Sequence, residues 1–462
     1  MRDEAGRPAD RVTAAPPGTD PALPTEADGL PPGRRGASAA CIAAAISTTV
    51  LDAAMVNIAL PSAARDLGLS PAEAVWVVNA FQITVVGLLI PLASLGEIVG
   101  FRRLWAWGLG LFLCGAVACA AAPTFGTLLA ARVAQGVGGA AVMALMAALV
   151  RHTYPSAMLG RAIGTNALVV ALCSAAGPSL GAAVLAVASW PMVFLAHLPF
   201  GLAALLWGRR VLPDVPPRRR PFDLASAGLN VGAFGALFLG LDLLLHAPLA
   251  AGAALLLALA CMVALLRREM GKPVPLLPLD LLRIRELRFA LGASVCMFAA
   301  NMLTLIALPF HLAQAGFGPV QTGLAMTPYP LAIGLLAPLA GRWADRAPTS
   351  LPCMVGGGLL GVALVALMLV SARELWMVGA ALALAGIGFG CFQAPNNRTM
   401  LAAAPRARAG GAGGMQATAR VLGQSLGATL AAACFTLTGP WMAFLCGACL
   451  AVLAGALSGL RR

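Results

Sequence analysis

Eighteen Asp and Glu residues occur in this chain, and only Asp52 and Asp242 fall well inside long apolar runs. An ionisable group in hydrocarbon costs about 2.5–3.5 kcal/mol on insertion scales, so it marks a functional candidate by default. Asp52 stands about eight residues from the C-terminal end of the run 38–60, and Arg132 about eight residues from the N-terminal end of the run 125–150, ends that face the same side of the membrane. At 1.5 Å per residue both sit roughly 12 Å deep, so they pair if the two segments face each other. An Asp whose Arg partner withdraws can take up a proton. Such a site has the chemistry to exchange a proton for a cationic solute. The competing reading is a static ion pair that fixes packing. Lipid makes a purely structural pair costly, which favours the first.

Other polar residues in apolar runs form a second tier. Asp242 precedes His246 by one helical turn near a run's end, the arrangement of an interfacial pair snorkelling to the surface. Arg420 lies about a third of the way into the run 412–437, with its role open. The amides Asn57, Asn79, Gln82, Gln135, Asn166, Asn301, Gln393, Asn396 and Asn397 are candidates to line a cavity. Interhelical hydrogen bonding accounts for most residues of that kind.

The elements that must position these residues are membrane spans. The chain has 462 residues, 60% hydrophobic and 11% charged, whereas soluble domains carry roughly a quarter charged residues. So little charge cannot cover a water-facing globule, and the expected class is an all-α polytopic membrane protein. A span takes about twenty mainly apolar residues. That rule predicts helices at 38–60, 74–96, 104–122, 125–150, 160–187, 190–211 and 224–246, then at 248–267, 288–312, 320–341, 351–371, 375–396, 412–437 and 440–460.

With the N-terminus in the cytoplasm, 27 of the 31 Lys and Arg residues fall on the cytoplasmic side. Only Arg65 and Arg373 fall outside, and Arg132 and Arg420 lie within spans. That asymmetry fixes the expected orientation, with both termini cytoplasmic and an even number of spans. It also accounts for the net charge of +13 without nucleic acid as a partner, because the basic residues sit in short loops. Residues 1–36 are rich in Pro, Gly, Asp and Arg and read as a disordered cytoplasmic tail lacking the order of a cleaved signal peptide. Segments 37–211 and 288–462 then read as six-helix bundles, and 212–287 as basic loops carrying two extra spans. Transporters built from related halves bind substrate near the midplane where the halves meet.

Enzymatic and ATP-driven machinery is missing from the sequence. Gly271-Lys272 is followed by Pro273 and lacks the phosphate-binding spacing, and neither H-E-x-x-H nor G-x-S-x-G occurs. The eleven cysteines form no metal-ligand array; Cys446 and Cys449 lie in an apolar run without a redox-fold context. No cofactor or metal is expected, and an ion gradient is the expected driver of any uphill movement.

Several motifs resemble the major facilitator superfamily, in particular its fourteen-helix drug:proton antiporter branch, from about residue 38 to 460. Leu51-Asp52 with Val56-Asn57-Ile58-Ala59-Leu60-Pro61 is similar to that branch's first-helix motif, which implies a proton-coupling role for the acid. Arg132 with Gln135-Gly136 resembles R-x-x-Q-G, where the Arg is implied in proton transfer. Gly177-Pro178 and Gly181 resemble the antiporter motif. Ala93, Glu97, Gly100 and Arg102 occupy the gating motif between the second and third spans, with Ile98 and Phe101 where basic residues are usual. Gly341, Ala344, Asp345 and Arg346 are a second copy in the other half. Gly388-Phe389-Gly390 with Pro395-Asn396-Asn397, and Arg420 with Gly423-Gln424 and Gly427, extend the likeness.

The resemblance implies a monomeric exporter in a bacterial inner membrane, moving small lipophilic or cationic compounds outward by proton antiport through alternating access. Proton-coupled uptake or export of one narrow metabolite are the nearest rivals, since one fold hosts many cargoes. A membrane-embedded enzyme would want clustered carboxylates, and a sensor an appended soluble domain. The sequence carries neither.

Overall fold

The computed structural model describes residues 29–155, 158–217, 221–244, 247–270, 279–370, 374–403 and 409–461. All regular structure among them is helical, as a chain in hydrocarbon requires: with no water to serve its peptide groups, each segment bonds its own. The first eight helices are α1 (Pro32–Asp66), α2 (Pro71–Val99), α3 (Phe101–Ala120), α4 (Phe125–Thr153), α5 (Leu159–Val187), α6 (Leu198–Val211), α7 (Leu224–Leu243) and α8 (Pro248–Glu269). The remainder are α9 (Arg285–Gln314), α10 (Pro319–Met326), α11 (Pro328–Arg346), α12 (Ser350–Leu369), α13 (Leu375–Ala402), α14 (Ala409–Leu437) and α15 (Pro440–Gly459). Since α10 and α11 follow each other as one broken rod, helical rods stand at all fourteen expected positions. Eleven rods among the described residues are long and apolar enough, on length and composition, to cross a membrane.

Three expectations change in detail. Helix α1 starts at Pro32, inside the segment read as a tail to residue 36, and residues 1–28 lie outside the described residues. Proline is favoured in a helix's first turn, where its missing N–H costs nothing. The span expected as one helix at 190–211 is a 3₁₀ turn, Trp190–Phe194, followed by α6 from Leu198. Likewise the span at 320–341 breaks at Thr327, before Pro328 and Pro330. In both places a proline interrupts the apolar run, because it has no N–H to give the carbonyl four residues back and its ring crowds that carbonyl.

Short connections are closed by local chemistry. Ser70 and Glu73 form a reciprocal capping box at α2, and Thr124 and Thr127 form one at α4. Gly100 alone joins α2 to α3, with φ +100°, a left-handed backbone that glycine adopts without strain. At the Arg-rich end Arg34 donates to the Arg210 carbonyl at 3.1 Å, tying α1 to α6, and Arg285 donates to the Leu460 carbonyl at 3.2 Å, tying α9 to α15. At the opposite end Trp190 Nε1 donates to Asp66 at 2.8 Å.

One packing pattern occurs twice. A Cβ built on Gly138 of α4 would lie 2.5 Å from the Gly108 carbonyl oxygen on α3, and one on Gly388 of α13 would lie 2.7 Å from the Gly356 carbonyl oxygen on α12. Two residues earlier the pattern repeats again. A Cβ on Gly136 meets the Phe81 carbonyl of α2 at 3.0 Å, and one on Gly386 meets the Tyr329 carbonyl of α11 at 2.2 Å. Small residues of this kind let membrane helices approach backbone to backbone.

Helices α7 and α8 pack on each other, and α7 leans on α2. Asn230 donates to the Gly87 carbonyl at 2.7 Å, and Trp76 Nε1 donates to Asp242 at 3.0 Å. Asp242 is therefore tied to α2; His246, its expected neighbour, lies outside the described residues. Trp76→Phe, which keeps the ring and removes the donor, is expected to cost about 0.6–1.7 kcal/mol of stability, the range for hydrogen bonds between membrane helices. Thermal unfolding of the purified protein in detergent measures it, and an unchanged midpoint would deny the bond any role in seating α7.

Candidate functional site

Asp52 and Arg132 are brought together, and both are buried. Arg132 Nη1 donates to Asp52 Oδ2 at 3.0 Å, and Gln135, one turn further along α4, donates from Nε2 to Asp52 Oδ1 at 3.0 Å. The carboxylate thus has a charged donor on one oxygen and a neutral donor on the other. The guanidinium is more richly held. Its Nη1 also donates to Gln135 Oε1 at 2.7 Å, and its Nε donates to the Val77 carbonyl of α2 at 2.9 Å. Its Cζ lies 4.5 Å from the centre of the Phe81 ring and 5.7 Å from that of Phe194. Cationic stacking of this kind gains strength when both groups are desolvated. From α3, Cys119 Sγ donates to Gln135 Oε1 at 3.6 Å.

A histidine that sequence reasoning passed over completes the cluster. His197 is fully buried, with Nε2 3.9 Å from Asp52 Oδ1, and neither ring nitrogen has a hydrogen-bond partner. Its ring lies 5.5 Å from that of Phe112. The break in the sixth rod positions it: the 3₁₀ turn carries Phe194 to the guanidinium, and His197 caps α6. The available signal was an ionisable residue in an apolar run two residues before Pro199; a neutral imidazole does not stand out from such a run as an acid or an arginine does.

The antiporter-like glycines touch the cluster's support. A Cβ on Gly177 would lie 2.3 Å from the Ala54 Cβ, and one on Gly181 would lie 3.3 Å from the Met55 Cα, so α5 presses on α1 just beyond Asp52. The Pro178 carbonyl faces α10, within 2.8 Å of a Cβ built on Gly323, and Ser179 and Thr327 share a hydroxyl hydrogen bond at 2.7 Å. Thr327 is the break between α10 and α11. One short stretch of α5 therefore contacts both the Asp52 helix and the broken rod of the other half.

The remaining candidates divide. Asn79 is buried with both amide atoms unpartnered, Asn57 is buried with its Oδ1 unpartnered, and Gln82 is buried. Asn301 accepts from the Tyr329 hydroxyl; Asn396 donates to the Ala290 carbonyl at 3.3 Å and accepts from Arg461. Those two are interhelical fasteners. Asn166, Gln393 and Asn397 are half-buried, and so is Arg420.

Of the first gating motif, Ala93 and Glu97 lie on the last turns of α2, and Arg102 reaches Asp214 beyond α6 at 2.5 Å. Of the second copy, Arg346 is exposed at the end of α11, while Gly341 and Asp345 lie within that helix with side chains outside the described residues. The repeated glycines match Gly136 with Gly386 and Gly138 with Gly388, and that register sets Leu382 where α4 has Arg132 and Ala385 where it has Gln135. The charge cluster occupies one side of the repeat only.

Comparison with known proteins agrees with this architecture. Residues 42–428 match the model of the Major Facilitator Superfamily, and the chain belongs to that family of transporters. It is similar to an uncharacterized transporter of Escherichia coli (strain K12), YebQ, at 42% identity over 94% of this chain and 97% of that one. It also resembles the riboflavin transporter RibZ of Clostridioides difficile (strain 630), at 29% identity over 84% and 85% of the two chains. The multidrug resistance protein Stp of Mycobacterium tuberculosis (strain CDC 1551 / Oshkosh) is 30% identical over 82% of this chain and 71% of its own.

Proposed function

We propose that this transporter exports small lipophilic or monovalent cationic compounds across a bacterial cytoplasmic membrane in exchange for protons. The observation that carries the reading is the buried Asp52–Arg132 pair, closed on three sides by Gln135, Phe81 and Phe194. A protein charge pair removed from water is costly to hold in one arrangement. A device that alternately protonates the acid and frees the guanidinium has a reason to keep it. Proton entry at Asp52 cancels the attraction to Arg132, and a monovalent cation replacing that proton restores it. Exchange of one such cation for one proton is electroneutral, so a pH gradient alone drives it.

Segments 37–211 and 288–462 are the two moving bundles in this reading, with both termini in the cytoplasm, where the Lys and Arg residues gather. The chain belongs to the drug:proton branch with fourteen spans and works as a monomer. The resistance protein among its relatives supports outward movement. A riboflavin transporter among the same relatives supports a second reading, transport of a single metabolite.

Cells lacking their own pumps and making this protein are expected to accumulate less ethidium than cells without it, and a protonophore should erase the difference. Equal accumulation with well-expressed protein would sink polyspecific cation efflux. A change in flavin fluorescence of the same cells would then favour the single-metabolite reading.

A further inference from the structure

His197 has both ring nitrogens buried and unpaired, and buried polar groups of that kind normally have a partner. A filler residue packed on Phe112 gains nothing from two bare nitrogens, since an apolar side chain would fill the same space without the desolvation cost. The nearest ionisable atom is Asp52 Oδ1, 3.9 Å from Nε2. Closing that gap to hydrogen-bond length takes about 1 Å. The residue sits where a 3₁₀ turn gives way to α6, a joint rather than a helix interior.

Protonation of Asp52 creates an O–H that needs an acceptor. Gln135 Nε2 and Arg132 Nη1, which bond the carboxylate now, are donors, and Gln135 Oε1 already accepts from Arg132. The bare Nε2 of a neutral His197 ring is the acceptor in reach. The charged groups facing the ring are Asp52 from α1 and Arg132 from α4, and α3 turns the Phe112 ring to it.

We propose that His197 is the proton-exchanging partner of Asp52 in the coupling site, a role that rests on the proton-antiport reading above. A proton arriving at Asp52 Oδ1 gives the carboxylic acid, whose O–H donates to Nε2. Transfer moves that proton onto the Nε2 lone pair while the O–H bonding pair returns to the carboxylate, so one proton is shared and none is made or lost. The resulting imidazolium stands beside the Arg132 cation, and their repulsion returns the proton or expels it. The pair therefore holds a proton briefly, as a relay must.

Two measurements on the full-length protein test this. With ¹⁵N-labelled histidine the chain has only four histidines, and His197→Gln assigns the ring signals of interest. Asp52→Asn is expected to change the His197 ring shifts and the pH at which they titrate. In proteoliposomes, His197→Gln is expected to slow proton-driven ethidium efflux and to move the midpoint of its pH profile by about one unit, a tenfold change in proton affinity. His197 signals indifferent to Asp52→Asn, or a His197→Gln profile matching the wild type, would overturn the assignment. If the wild type moves no ethidium while Asp52→Asn still shifts the His197 ring, the export reading fails and the shared proton stands.

Discussion

Arg132→Leu is expected to lower folded stability by about 3–5 kcal/mol and to abolish transport, because it strands a buried carboxylate. Asp52 keeps only the Gln135 amide donor at 3.0 Å once Nη1 is gone. Adding Asp52→Asn on that background is expected to return most of the stability and none of the transport. The new amide still accepts from Gln135, and no charge remains buried. Asp52→Asn alone should fall between the two, since Arg132 retains the Val77 carbonyl, Gln135 Oε1 and the Phe81 ring. Thermal unfolding of the four proteins in detergent closes a double-mutant cycle, and residues in one network show coupling of 0.5–3 kcal/mol by the usual range of about that size. A double variant that melts no higher than Arg132→Leu would show that the charge pair does not account for the loss.

The pair was legible because a charge in an apolar run stands out from everything around it, and equal depth in two runs is arithmetic on helix rise. The rods themselves were legible for the same reason: length and hydropathy are nearly the whole requirement for a span. Partners far apart in the chain were not. Trp76 lies 166 residues from Asp242, and Arg102 lies 112 residues from Asp214. No local pattern announces either contact. The breaks at Thr327 and before Leu198 were carried by Pro328 and Pro199, both in plain view. They were overlooked because a hydropathy window averages over a proline that a backbone cannot ignore. His197 lies in that same stretch, and the break beside it sets the ring near Asp52.

Gly138→Leu is expected to cost at least about 3 kcal/mol, at the upper end for overpacking, and to silence transport in whatever folds. A Cβ on Gly138 would stand 2.4 Å from the Phe112 backbone nitrogen and 2.5 Å from the Gly108 carbonyl. Backbone cannot rotate aside as a side-chain tip can, so α3 and α4 must separate. Helix α4 carries Arg132 and Gln135 two turns or less away, and the separation pulls both from Asp52. Gly388→Leu meets the same obstacle in the other half, where a Cβ would stand 2.6 Å from the Leu360 nitrogen. Its cost in stability should be similar, yet α13 carries Leu382 and Ala385 at the matching positions. Whatever fraction of Gly388→Leu folds should therefore keep the wild-type pH dependence of ethidium efflux, and the Gly138→Leu fraction should not. Gly110→Ala and Gly358→Ala are the controls, because a Cβ at either meets nothing within 4 Å. Both sit in helix interiors, where replacing glycine is worth roughly 0.5–1 kcal/mol, so neither variant should melt below the wild type. Equal loss of pH-dependent efflux in Gly138→Leu and Gly388→Leu would mean that the charge cluster does not confine proton coupling to the half that holds it.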